Sequence, residues 1–211
     1  MTAFRSQQAV VVRILTVVAM FSAMGLLTGC GGYHMVSQDP KPPIRGAKAG
    51  KATLIIIRPT NWSGNVGTVT IGPGHIITNY LDKKMIGQTR GQSYFATDVK
   101  PGAHYLMAVS ENTAVARLNF EAGKTYILQQ MILPSLNPFK GIPRTGFTTM
   151  TATDFQKESK DADFLIYDTK HPGEDMQDKD FQEAKQDFEN EVKEDPNRHK
   201  DTLQYHGIPK L

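Results

Sequence analysis

The sequence predicts a mainly β protein, a single antiparallel β-sandwich with an amphipathic helix appended at its C-terminal end. Three observations favour this fold class. Short apolar or alternating runs recur across residues 52–153, with turn residues between them about every 8–12 positions. No helical period of useful length interrupts that region. A charged segment with helical spacing comes after it, near residues 174–194.

The strand predictions rest on the pattern of apolar side chains. Residues 52–58 form a β-branched run that Pro59 ends, which is typical of a strand buried on both faces. Residues 113–120 alternate between apolar and polar side chains, as a strand with one buried face does. Residues 124–133 predict a longer strand with apolar side chains at period two. Together these runs assign residues 52–153 to the sandwich.

Residues 154–211 are predicted to be an acidic extension of the sandwich. Thr153 or Asp154 would cap a short helix, and the apolar residues 164–167 would return to the sandwich. A second helix, near residues 174–194, is predicted from apolar residues three and four positions apart: Phe181, Ala184, Phe188 and Val192. A proline just beyond this segment would stop the helix.

The charge of the chain divides at the same boundary. Residues 30–153 carry 13 basic and 5 acidic side chains, whereas residues 154–211 carry 9 basic and 16 acidic ones. Two interpretations remain open: the acidic helix lies on its own basic sandwich, or it is presented to a protein partner in the cell envelope. Because no basic stripe interleaved with aromatic residues occurs, we expect no binding to nucleic acid.

The first 29 residues have the parts of a bacterial lipoprotein signal peptide. Arg5 and Arg13 form a basic region that precedes residues 14–29. Those residues are an uncharged run of 16, shorter than the ~20 needed to span a bilayer. The next residue completes a lipobox, Leu27-Thr28-Gly29-Cys30. We expect cleavage before Cys30 and lipidation of its thiol, with palmitate among the acyl chains. The mature protein would be anchored in the cell envelope and face the periplasm, and Gly31 favours the outer membrane over the inner.

Residues 30–51 are predicted to be a flexible tether between the lipid and the sandwich. Asp39-Pro40-Lys41-Pro42-Pro43 favours extended polyproline geometry, and Gly46 and Gly50 flank a small basic stretch. Cys30 is the only cysteine of the chain, so its acylation leaves no thiol for a disulfide, a metal site or a nucleophile.

Five short motifs occur in the order in which a group of small bacterial lipoproteins carries them: Arg58-Pro59, Asp82-Lys83-Lys84-Met85-Ile86-Gly87, Gly91-Gln92-Ser93-Tyr94-Phe95, Pro101-Gly102-Ala103-His104 and Ala122-Gly123-Lys124-Thr125-Tyr126. The chain resembles that family over roughly residues 52–135, with Lys83 where the family has a glycine. The shared domain has no known function. The resemblance implies a β-sandwich of the kind found in carboxypeptidase regulatory and prealbumin-like domains, or an immunoglobulin-like one. It implies no catalytic residue.

No motif for catalysis or metal binding is complete. Gly123-Lys124-Thr125 resembles the end of a phosphate-binding loop, but Leu118 stands where that loop needs a glycine. No two histidines are four residues apart, and a metal site around His75 and His104 would need ligands that the sequence does not indicate. We therefore expect no enzymatic activity, no cofactor and no metal. Two alternatives remain open: a periplasmic hydrolase whose site is assembled from residues distant in sequence, and a structural spacer of an envelope complex.

The predicted function is a binding or scaffolding module on a lipid anchor. Its candidate contacts for a ligand or partner are aromatic. Trp62 lies in a Gly- and Asn-rich loop after the first strand, where it either stacks on a ligand or folds back over the core. Phe139 and Phe147 lie in a Pro- and Gly-rich segment that would contact a membrane or partner. Phe181 and Phe188 lie on the acidic helix.

Overall fold

The computed structural model describes residues 32–44, 46–59, 76–110, 112–133 and 144–209. Contacts within the chain group residues 34–211 as one unit and residues 1–33 as another, and the elements below belong to the first of these. Its strands are β1 Met35–Ser37, β2 Ala52–Arg58, β3 Ile76–Leu81, β4 Lys84–Arg90, β5 Ser93–Val99, β6 Gly102–Val109, β7 Thr113–Phe120, β8 Thr125–Leu133, β9 Arg144–Thr149 and β10 Asp163–Tyr167. Its helices are α1 Ala152–Glu158, α2 Asp178–Glu194 and α3 Lys200–Leu203.

The strands form two sheets, which confirms a mainly β protein and is compatible with a sandwich. One sheet has six strands in the order β1-β10-β5-β2-β8-β9, and the other has four in the order β4-β3-β6-β7. The expectation of purely antiparallel pairing is wrong for two pairs, because β2 runs parallel to β8 and β10 runs parallel to β5. Parallel neighbours need a crossover connection. Here β8 follows two strands of the other sheet, and β10 follows α1.

Strand β2 is buried on both faces, as its apolar run predicts. Every residue from Ala52 to Arg58 is buried. Ile55 and Ile57 belong to a cluster that includes Phe155 of α1 and Phe164 of β10. The intervening side chains point to the opposite face of the sheet because side chains alternate along a strand. The six-stranded sheet therefore has a buried layer on each side of its centre.

A hydrogen-bonded polar cluster lies inside the core. Gln130 of β8 is 2 % exposed; its Nε2 donates to Asn79 Oδ1 at 2.6 Å, and its Oε1 accepts from the Thr89 hydroxyl. Asn79 Nδ2 donates in turn to the carbonyl of Ile77 at 3.3 Å. These bonds join β8 of one sheet to β3 and β4 of the other. An unpaired buried polar group costs about 1–3 kcal/mol, so the cluster favours this one alignment of the sheets.

The predicted tether differs from the structure because part of it joins the six-stranded sheet. Strand β1 pairs antiparallel with β10, with Met35 opposite Tyr167. Lys41 Nζ donates to the carbonyls of Ser159 at 3.2 Å and Lys160 at 2.6 Å, and Ile44 packs against the core. The edge of β10 offers unpaired backbone groups, which even three residues of extended chain can satisfy. A fully flexible segment from 30 to 51 is therefore wrong for these residues.

Two helix starts differ from the sequence prediction. Helix α1 is capped by Thr151, whose side chain accepts from the Asp154 N–H at 3.1 Å, rather than by Thr153 or Asp154. Helix α2 begins at Asp178, four residues later than residue 174. The residues before it lie along the outer edge of β4 instead of turning into the helix. The predicted return of residues 164–167 to the sheet is confirmed by β10.

The C-terminal segment also packs on the six-stranded sheet, which the sequence did not predict. Ile208 and Thr125 exchange two backbone hydrogen bonds of 2.8 Å. Tyr205 packs edge-to-face on Tyr126 at 5.4 Å, and its hydroxyl accepts from the Ile127 N–H at 3.2 Å. The acidic extension is therefore part of the same unit as the two sheets.

Candidate functional site

Helix α2 lies with its apolar side on the four-stranded sheet. Phe181 is 8 % exposed and Phe188 is 4 % exposed. Their rings meet the Tyr105 ring of β6 edge-to-face, with centroids 6.3 and 6.2 Å away. The prediction that these two phenylalanines contact a partner is wrong for this arrangement, because burial against their own sheet removes them from solvent.

Polar contacts surround the same tyrosine. The Tyr105 hydroxyl donates to Glu189, and Arg117 Nη1 of β7 lies 3.8 Å from that carboxylate. Burial, together with the hydrogen bond to Glu189, raises the pKa of Tyr105. Lys83 pairs with Asp178 at 3.0 Å at the start of the helix. Exposed ion pairs contribute only about 0–1 kcal/mol each, so the aromatic contacts hold the helix and the charges orient it.

Next to this contact lies a groove with a cavity volume of about 600 Å³. We call it the edge groove, because two terminal strands form part of its wall: residues 112–116 of the β7 end and residues 145–147 of β9. Helix α2 and the region of α3 form the rest, with Phe188 and Thr202 among the lining residues. A volume of this size lies within the range of ligand-binding clefts.

The backbone of β9 faces this groove along its outer edge. Asn112 spans from the β7 side to Thr145: its Oδ1 accepts from the Thr145 N–H at 2.7 Å, and its Nδ2 donates to the Thr145 carbonyl at 3.3 Å. Since backbone groups alternate in direction along an antiparallel strand, Phe147 also directs its N–H and carbonyl away from β8. Within the described residues, β9 has no strand neighbour on that side.

The groove is strongly acidic. It is lined by five carboxylates, those of Asp180, Glu183, Asp187, Glu191 and Asp201, and by one guanidinium, that of Arg198. Glu191 pairs with Arg198 at 3.5 Å and with His199 Nε2 at 3.1 Å. In the described part of the chain, the carboxylates of Glu183 and Asp187 have no ion-pair partner. Among the described residues, the groove thus presents more negative than positive charge beside the outer edge of β9.

One buried polar atom at the groove also has no partner. Thr145 is 5 % exposed, and its Oγ1 has no hydrogen bond within the described residues. Buried side-chain hydroxyls are normally paired. Thr145 is also one of the residues that line the groove.

The histidines do not form a catalytic arrangement with a nucleophile in the described residues. His199 lies between the Phe188 ring, 4.7 Å away, and Glu191. His104 lies outside the groove, where its Nδ1 is 2.8 Å from Asp82 and its Nε2 is 3.0 Å from the Lys100 carbonyl. These contacts hold the β3–β4 turn against β6. His75 is outside the described residues. Within the described residues, no group of three or more His, Cys, Asp or Glu side chains could hold a metal ion.

The aromatic residues singled out in the sequence have separate outcomes. Phe147 lines the edge groove and is half-buried, packed against Ile77 and Ile132. Cys30, Trp62 and Phe139 lie outside the described residues. The sequence prediction missed Asn112 and Thr145, since neither residue type is unusual in a strand or turn and only the fold brings them together.

Within the described residues, no helix combines the length and apolar character needed to cross a membrane. Comparison of the chain with protein-family models, with curated proteins and with solved structures gives no match in any of the three.

Proposed function

We propose that this chain is a lipid-anchored lipoprotein of the bacterial cell envelope and that its edge groove is a binding site for a protein partner. One observation carries the binding part of this proposal: two carboxylates that have no ion-pair partner within the described residues line a groove beside the outer edge of β9. In this reading the module binds or scaffolds and does not catalyse. The family resemblance and its finer fold type, prealbumin-like or immunoglobulin-like, belong to the same proposal.

The address rests on the lipobox. Cleavage before Cys30 would leave the sandwich outside the cytoplasm on a lipid, in the periplasm and preferably on the outer membrane. Several acyl chains on one cysteine would anchor it stably, whereas a single chain binds a membrane only marginally.

The anchor is tested by metabolic labelling with palmitate in a Gram-negative host. We expect label in the natural chain and none in Cys30→Ala. Equal labelling of both proteins contradicts the lipoprotein assignment.

The binding site is tested by photocrosslinking in living cells. A photoreactive phenylalanine replaces Ala184, which lines the groove, and in a matched control it replaces Gln182, which is exposed on the same helix outside the groove. We expect a discrete protein adduct from position 184 and little from position 182. No adduct from position 184, or equal adducts from both, contradicts a partner in the groove.

A further inference from the structure

We propose that the edge groove takes a basic, extended peptide segment of the partner, which adds to β9 as a further strand while its cationic side chains reach the carboxylates of α2. This inference deepens the proposed function and rests on it. It names the chemistry of the occupant and the way in which the groove holds it.

The strand edge supplies the backbone half of this recognition. Asn112 bonds both outward groups of Thr145 and so occupies the place of a neighbouring strand there. An added peptide would pair further along β9. Phe147 has the same orientation, two residues further along. Addition of an extended peptide to such an edge derives affinity from main-chain hydrogen bonds and specificity from every second side chain.

The helix supplies the charge half. Asp180, Glu183, Asp187 and Glu191 follow one another at intervals of three or four residues and line the same groove. From the first to the last, α2 rises about 16 Å at 1.5 Å per residue. About six residues of extended peptide, five intervals of about 3.3 Å, cover the same length. Basic residues at alternate positions of such a peptide would span the row of carboxylates.

The Thr145 hydroxyl is an independent indication of a ligand. It is buried, lines the groove and lacks a partner within the described residues. A peptide bound in the groove would bring backbone or side-chain polar groups to this atom. An acidic patch that serves only solubility has no need of such an atom.

The test uses the full-length chain in dodecyl maltoside micelles and a fluorescent blocked heptapeptide, Lys-Val-Lys-Thr-Lys-Val-Lys. Three comparison probes separate charge from backbone hydrogen bonding. The same peptide with alternate backbone nitrogens methylated keeps the positive charge, a peptide with Glu in place of Lys keeps the backbone donors, and free spermidine is a cation without a peptide backbone. Fluorescence anisotropy gives each affinity. We expect the unmethylated Lys peptide to bind and the Glu peptide not to bind. Methylation should weaken the affinity of the Lys peptide at least about tenfold, because backbone hydrogen bonds are lost.

Variants assign the binding to the groove. Glu183→Gln combined with Asp187→Asn should weaken the Lys peptide by about fivefold, as expected for two exposed charge contacts, and should reduce its salt dependence. The matched control neutralises two exposed carboxylates outside the groove, Asp161→Asn and Glu194→Gln, and should leave affinity unchanged. Equal melting temperatures of the two double variants would show that each is folded.

Several outcomes overturn the inference. If the methylated peptide binds as tightly as the unmethylated one, strand addition is contradicted. If spermidine at equal charge fully displaces the peptide, the groove is a site for small cations and not for an extended peptide. Equal effects of the two double variants place the peptide elsewhere. If the peptide does not bind but position 184 still gives an adduct in cells, the occupant is wrong and the binding module stands. If the peptide does not bind and position 184 gives no adduct, both this inference and the proposed binding function are contradicted.

Discussion

Replacing Phe188 with alanine tests whether the acidic helix belongs to the folded unit or is free to leave it. Phe188 is 4 % exposed, contacts Tyr105 and lies 4.7 Å from the His199 ring. Its loss would remove the aromatic contact between the middle of α2 and the four-stranded sheet. If the helix is docked in solution, this loss must appear in the cooperative unfolding of the whole chain.

The magnitude follows from burial. Truncation of a buried phenylalanine to alanine costs about 3–5 kcal/mol. Phe188 borders the edge groove, so water can enter part of the space that the ring leaves, and we expect the low end, about 3 kcal/mol. For a folded unit of this size, each kcal/mol lowers the melting temperature by about 2–4 °C, so the expected decrease is about 6–12 °C.

The assay is thermal unfolding followed by circular dichroism, with Gln182→Ala as the control because that residue is exposed on the same helix. The control should melt within about 2 °C of the natural chain, since surface substitutions change stability by about 0.5 kcal/mol or less. A Phe188→Ala protein that melts like the control would refute the docking of α2 and would revive the interpretation of a helix presented to a partner.

Three further substitutions test other parts of the packing. Gly207→Ala should destabilise by roughly 1–3 kcal/mol more than Gly123→Ala in urea unfolding. Both glycines have positive φ, but only at Gly207 would a Cβ lie 2.9 Å from a tyrosine ring; equal losses would contradict the seating of the C-terminal segment. Gln130→Leu should cost about 2–4 kcal/mol by leaving two buried polar partners unpaired, and the half-exposed Gln129→Leu should cost little. Burial raises the pKa of Tyr205, so the folded state holds its proton longer than the unfolded chain. Stability should therefore fall as pH rises beyond about 10, less steeply in Tyr205→Phe; identical profiles would contradict this.

Local periodicity predicted the elements whose side chains decide their own burial. Residues 52–58 are mostly apolar and lie in the centre of a sheet, and Ala116, Leu118 and Phe120 are buried at the alternate positions that the pattern indicates. Helix α2 ends at Glu194, just before the proline that was expected to stop it. Pairing partners are a different matter. Nothing in residues 52–58 distinguishes a parallel neighbour from an antiparallel one, because both bury the same side chains.

The edge groove was beyond prediction because its walls come from three distant parts of the chain. Asn112 bonds Thr145 across 33 positions, and α2 lies beside both. The sequence did indicate the ingredients, since the charge of residues 154–211 is strongly acidic and Phe147 was a candidate contact. It wrongly predicted that Phe181 and Phe188 contact a partner. An amphipathic helix has one apolar face, and here the protein's own sheet covers it.

The way in which the sheets end explains why the acidic residues stand where they do. Open strand edges invite pairing with other chains, and natural proteins cover or shorten them. The edge of β4 is covered by its own chain: the Met176 N–H donates to the Lys83 carbonyl at 2.8 Å, and the Met85 N–H donates to Asp175 at 2.9 Å. The edge strand β1 has only 3 residues.

The edge of β9 is protected differently, by charge. Pairing of two copies of this chain along β9 would bring two acidic α2 helices together, and like charges at short distance oppose such contact. The same carboxylates attract a basic segment. A row of acidic residues beside the edge of β9 therefore opposes pairing with a second copy and favours a cationic partner. A neutral edge would not discriminate between these two partners. By this argument, neutralising Glu183 and Asp187 should weaken binding of the basic peptide and should also promote self-association through β9. Sedimentation velocity of the double variant would detect that dimer.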